Sequence, residues 1–246
     1  MISVWPIWLV LALCTTAGLS VLGAYIWRSR ATEGGASFLV LIAGVGLWVL
    51  CSGFEHAAVD LDVKLRLAKL AWLGIGVVPL SALVVALQAT GREHLVRPSL
   101  VGLLALPSAA MVALVLTNEH HHWVWSSVAL EAPGERPDLH LPHGPAFWVS
   151  AAWNYTLLVT AGALLARRYV REWPRNREEA VLVTLAMAAP WVANAHYLAT
   201  ESQRPSIDFT PYAFSVTAVC LSLALWRGHG LLNVIRVARS QILDEM

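Results

Sequence analysis

Charge is what this chain has least of. Asp, Glu, Lys and Arg make up 13% of its 246 residues, about half of the roughly 25% a soluble domain carries. That deficit excludes an ordinary water-soluble fold. Lysine is nearly missing: Lys64 and Lys69 stand against fifteen arginines. A retinal Schiff base would need a lysine in the middle of the last apolar run, and none is there. A net charge of +1 supplies no basic surface for nucleic acid. The three cysteines, Cys14, Cys51 and Cys220, have neither a pairing pattern nor metal-ligand spacing, and read as small buried hydrophobes. Catalytic signatures are missing too: no GxSxG elbow, no phosphate-binding loop, no kinase nucleotide motif and no HExxH. The expectation is a chain that is not an enzyme and needs no cofactor.

What the chain has in quantity is apolar length. Hydrophobic residues are 57% of it and its mean hydropathy is +0.60. A helix rises ~1.5 Å per residue, so about 20 apolar residues cross a hydrocarbon core of ~30 Å. Seven runs qualify as spans: 5–27, 36–54, 66–90, 99–116, 146–166, 180–200 and 209–226. The first has no basic segment before it and no small-residue cleavage site after it, so it reads as a retained helix. Pro79, Pro107 and Pro190 lie inside spans, where neighbouring helices can satisfy the carbonyls they free. Gly44 and Gly46 offer close helix contact in the second span. The predicted fold is therefore an all-α membrane protein, a seven-transmembrane helix bundle over 1–227.

Orientation follows from the basic residues. The connections after spans one, three and five, with the tail, hold twelve Lys/Arg, and the opposite side holds five. The positive-inside rule then puts the N-terminus outside and the C-terminus in the cytoplasm. Trp5, Trp27, Trp123, Trp125, Trp148, Trp173 and Trp226 fit interfacial belts. The longest polar interruption, 117–145, falls outside and holds five of the nine histidines, at 120, 121, 122, 140 and 143. Residues 228–246 repeat Leu231, Leu232, Ile235, Ala238, Ile242 and Leu243 at steps of three and four, an amphipathic helix too short to span. It lies flat on the inner leaflet or pairs with its twin in a homodimer, leading toward an output domain beyond Met246.

Several short pieces occur in a telling order. Trp48 and Glu55 end span two, and Lys69-Leu70-Ala71-Trp72 precedes Pro79 and Thr90-Gly91 in span three. Then come Thr117-Asn118, His121 and Trp125, followed by Gly144-Pro145-Ala146-Phe147-Trp148 and Tyr155. Pro190, Asn194 and Tyr197 follow in span six, and Asp208-Phe209-Thr210-Pro211 with Phe214 opens span seven. Together they resemble the N-terminal seven-transmembrane sensor domain of bacterial histidine kinases and related diguanylate cyclases. That resemblance implies a sensory module in the bacterial cytoplasmic (inner) membrane. Its signal would pass through span seven to a dimeric PAS, kinase or cyclase unit.

The candidate ligand-binding residues cluster at outer helix ends: Glu55, Lys69, Trp72, Asn118, His121, Trp125, Trp148, Tyr155, Asn194, Tyr197, Asp208 and Thr210. They suit an extracellular or membrane-partitioned small molecule. Charges at such depth must be paired or wet, so Glu55 and Lys69 form either a structural pair or the polar floor of a pocket. Asp208 and Thr210, ahead of Pro211, also read as a helix start. The histidines admit three readings: a solvated loop, a transition-metal set of His120, His121, His122 and His143, or a pH switch. A small transporter is the remaining class, although no inverted repeat with paired broken segments is present.

Overall fold

The computed structural model describes residues 7–28, 35–131, 138–172, 177–200 and 208–224. Its helices are α1 (Ile7–Arg28), α2 (Gly35–Ala57), α3 (Leu61–Ala89), α4 (Pro98–Leu116), the single turn α5 (Asn118–His121), α6 (Pro145–Glu172), α7 (Arg177–Thr200) and α8 (Thr210–Ala224). Six are long and apolar enough to cross a membrane, and α8 is a shorter apolar helix that completes a seven-helix bundle. The spans around 1–227 thus recur as helices, with altered ends. The linker helix at 228–246, with any dimer seam it forms, lies outside the described residues.

The boundary change that matters most for the site is in α3, which starts at Leu61 and not near residue 66. Asp60 causes it. Its carboxylate accepts the Val63 N–H at 3.0 Å, which caps the helix five residues early. At the far end Thr90 Oγ1 donates to the Ala86 carbonyl at 2.8 Å, and Gly91 turns the chain away with φ +70°. Pro98 opens α4 at a position where a missing N–H loses nothing.

The core is densest where α2 crosses α3. Leu41, Val45, Trp48 and Val49 of α2 are buried there with Val78 and Ala71 of α3. The crossing is close because two glycines face each other. A Cβ on Gly74 would lie 2.5 Å from the Gly44 carbonyl and 3.0 Å from the Trp48 Cβ. Gly46 meets α1 only at ordinary distance, 3.8 Å from Thr16. Gly74→Ala is therefore expected to destabilise the bundle by about 1–3 kcal/mol, read as a lowered unfolding midpoint in detergent. An unchanged midpoint would mean the helices part without strain.

Outward faces are apolar, as a lipid boundary requires: Ile7, Val21, Leu103, Leu106, Val149 and Val192 are all well exposed. Cys51 and Cys220 are buried as expected, but Cys14 is exposed on α1. Trp27, Trp123 and Trp148 are half exposed at helix ends, whereas Trp125 is buried.

The 117–145 segment is more than a solvated loop. After α5, His122 adopts φ 55°, and the chain doubles back as a short hairpin, β1 (Ala129–Glu131) antiparallel to β2 (Asp138–His140). An isolated bridge joins Trp125 to His143. Asn118 fixes this arrangement from inside. Its Oδ1 accepts the N–H groups of Val124 at 2.9 Å and Trp125 at 3.1 Å, and its Nδ2 donates to the Trp125 carbonyl at 3.0 Å. Gly144 passes so close beneath Trp123 that a Cβ would sit 2.3 Å from its carbonyl oxygen. We call this end of the bundle the loop end.

The shorter of the polar ties between α7 and α8 forms at Pro190. Pro190 has no N–H, so the carbonyl four residues before it, Ala186, loses its helical donor. Thr217 of α8 replaces that donor: its hydroxyl donates to the Ala186 carbonyl at 2.6 Å.

Candidate functional site

Five helices, α2, α3, α6, α7 and α8, leave a cavity of about 290 Å³ between them at the loop end. Helical spacing explains its walls. Trp48, Ser52 and Glu55 recur along one face of α2; Ala68, Trp72, Ile75 and Pro79 along α3; Phe147, Ala151, Asn154 and Leu158 along α6. Pro190, Asn194 and Tyr197 do the same on α7, and Asp208, Thr210 and Phe214 lead into and along α8. Trp125, Leu141 and His143 roof part of it, with Asp138 and Leu139 of β2. Among the described residues, nothing in α3 beyond Pro79 and nothing in α7 before Pro190 lines it, so the two prolines mark its depth.

Its polar groups form two clusters. Glu55 Oε1 receives Lys64 Nζ at 2.8 Å, while Oε2 lies 3.1 Å from His56 Nδ1. Lys64 is 1% exposed and also donates to the Glu55 backbone carbonyl at 2.9 Å. The second cluster runs across three elements. The Tyr155 hydroxyl donates to Asn194 Oδ1, Asn194 Nδ2 lies 3.4 Å from Thr210 Oγ1, and the Thr210 N–H donates to Asp208 Oδ1 at 2.8 Å. That last bond fits the helix-start reading of Asp208. Burial pushes the Asp208 carboxyl above its ordinary range, against the hydrogen bonds from Thr210. Desolvation pushes the His143 imidazole down to about 4, so it is neutral at physiological pH. Aromatic rings and aliphatic side chains supply the remaining wall: Tyr155 stacks on Trp191 at 5.1 Å, and Trp48 meets Phe214 at 5.8 Å.

Eight of the twelve sequence candidates meet in this cavity: Glu55, Trp72, Trp125, Tyr155, Asn194, Tyr197, Asp208 and Thr210. The other four line no part of it. Glu55 and Lys69 are not a pair, because Lys64, one turn into the early-starting α3, reaches Glu55 first. Lys69 instead binds Glu119, which holds that carboxyl below its usual range through their hydrogen bond. Asn118 is spent on the loop backbone. His121 bonds the Trp123 N–H at 3.0 Å through Nδ1, and Trp148 is 53% exposed, outside the wall.

The proposed metal set is not assembled. His143 lines the cavity, His120 and His122 are exposed, and no three His, Cys, Asp or Glu among the described residues could hold a metal ion. Sequence reasoning missed His56, Asp138, Phe147, Asn154, Trp191 and Phe214 as lining residues. A step of three back from Asn194 reaches Trp191, a step of four from Thr210 reaches Phe214, and two steps of four back from Tyr155 reach Phe147; Asp138, in the hairpin, carries no such signal.

An apolar seven-helix bundle with a polar-lined cavity at one end defines a multi-pass membrane protein. The family comparison agrees. The family model described as the N-terminal 7TM region of histidine kinase matches residues 11–235. The chain belongs to that family and is a membrane sensor input domain, itself a non-catalytic region. None of the curated proteins matches it.

Proposed function

We propose that this domain takes a small ligand into the loop-end cavity, from outside the cell or from the outer leaflet. The protein then sits in the bacterial cytoplasmic membrane with the loop end outside and passes the signal through α8 to a cytoplasmic kinase or cyclase unit, dimerised through the helix at 228–246. The observation that carries this reading is the cavity itself. At about 290 Å³ it lies near the ~300 Å³ lower bound of small-molecule sites, and polar groups from α6, α7 and α8 converge on it. The excess of basic residues on the opposite side supports the orientation. Transmission through α8 is supported by its position: Asp208, Thr210 and Phe214 line the cavity, and Thr217 ties the same helix to α7.

Two measurements test this. In a chain whose native cysteines are replaced, Ser127→Cys should react with an impermeant thiol reagent on intact cells and His94→Cys should not; the reverse pattern sinks the orientation. With the chain joined through its C-terminal helix to a histidine-kinase catalytic unit, Ala151→Trp should fill the cavity and fix autophosphorylation at one level whatever conditioned medium is added. A graded response equal to that of the unmodified chain overturns the cavity as the ligand site.

A further inference from the structure

We propose that the ligand this cavity takes is a small organic cation, an ammonium group carried on an apolar or aromatic body. The inference rests on the reading of the cavity as the ligand site and names the chemistry of its occupant. Three carboxylates line the space, Glu55, Asp138 and Asp208, while among the described residues no lysine or arginine lines it. The three are not equivalent. Glu55 has its counter-charge built in, since Lys64 reaches it at 2.8 Å from outside the lining. Asp138 stands in the exposed hairpin, where water solvates it. Asp208 is crowded by α8 and its neighbours, and the described residues place no cationic side chain within salt-bridge distance of it. A carboxylate held away from water gains most from a partner of opposite charge.

The walls suit the same partner. Tyr155 and Trp191 present a stacked pair beside Asn194, and Trp48, Trp72, Trp125 and Tyr197 surround the rest. Aromatic faces attract a cation through the ring quadrupole, most strongly where water is excluded. An anionic ligand would meet three carboxylates with no guanidinium or ammonium among the described lining groups. A neutral ligand of the same shape would leave Asp208 only the pull of His56, which stands outside salt-bridge distance of it and is already bonded to Glu55 at 3.1 Å. His143 is neutral near pH 7 and adds no positive charge to the wall. Deeper in, Ala71, Ile75, Leu158 and the two prolines give an apolar floor for the ligand's body. At ~30 Å³ per water-sized group, the volume holds roughly ten heavy atoms.

Three probes of matched size separate the charges: phenethylamine, protonated at pH 7, 2-phenylethanol, neutral, and 3-phenylpropionate, an anion. Each is titrated against the whole chain in lipid nanodiscs, with tryptophan fluorescence and the thermal unfolding midpoint as readouts. Phenethylamine should bind at least tenfold more tightly than either of the others. Asp208→Asn should weaken the amine at least tenfold and leave the alcohol unchanged, and Asp208→Glu should recover part of the loss. The ranking of the three probes on the unmodified chain needs no variant, so a misfolded Asp208→Asn protein does not rescue the idea. Equal or tighter binding of the alcohol or the propionate, no binding of the amine, or an Asp208→Asn protein that folds and binds the amine as before, overturns the cation assignment. Ala151→Trp separates the two levels. Alcohol or propionate binding that this variant abolishes keeps the cavity and discards the cation, whereas binding of any probe that survives it places that probe elsewhere and discards both.

Discussion

Asn118→Ala is expected to lower the stability of the domain by on the order of 3 kcal/mol or more and to release the loop end before the bundle melts. One side chain makes three hydrogen bonds, two accepted from backbone N–H groups and one donated to a carbonyl. Alanine leaves all three backbone groups without that partner at Val124 and Trp125, which are 0% and 4% exposed. A buried polar group stripped of its partner costs about 1–3 kcal/mol. Asn118→Asp sharpens the test, since it keeps the acceptor and loses the donor, and should fall between alanine and the native residue. Hydrogen exchange at Val124 and Trp125 reports the loop, and thermal unfolding reports the bundle. An alanine variant with native exchange rates at both amides would show that the clasp is dispensable.

The second large effect is expected at Lys64. Replacing it with methionine keeps most of the length of the side chain and removes the charge, which leaves Glu55, whose side chain is 14% exposed, with His56 as its remaining partner. Breaking a buried pair from one side costs about 3–5 kcal/mol, while replacing both partners with uncharged groups is often close to neutral. Lys64→Met alone should therefore drop the unfolding midpoint sharply, and Glu55→Gln added to it should restore most of the loss. Additive losses from the two substitutions would show that they do not act as a pair.

Much of this was legible in the sequence, and the reasons differ by element. The spans follow from apolar length, because a membrane leaves few other uses for 20 such residues. Tyr155, Asn194, Asp208 and Thr210 were legible as polar residues at helix ends in an apolar chain, and the fold gathers them by helical spacing. Partner choice was not legible. Lys64 and Lys69 are five residues apart, and only the cap at Asp60, which starts α3 early, decides which of them meets Glu55. Asn118 misled for a related reason: an asparagine at a helix end looks the same in sequence whether it faces a ligand or ties down its own loop. The glycine of α3 that takes the closest backbone approach, Gly74, was overlooked because its partner surface belongs to another helix.

The depth limit at Pro79 and Pro190 divides the molecule into two zones with different freedom to vary. Beyond Pro79, Leu83, Val84, Val85, Ala86 and Leu87 are buried, as are Val183 and Ala186 on the far side of Pro190. Substitutions there are felt as volume, whatever the domain detects. On the near side, at the positions that line the cavity, a new side chain faces open space and alters what fits before it alters how the bundle packs. Such a layout lets related chains diverge in what they recognise while inheriting one shared inner half, and it lets an engineer retune the first without rebuilding the second.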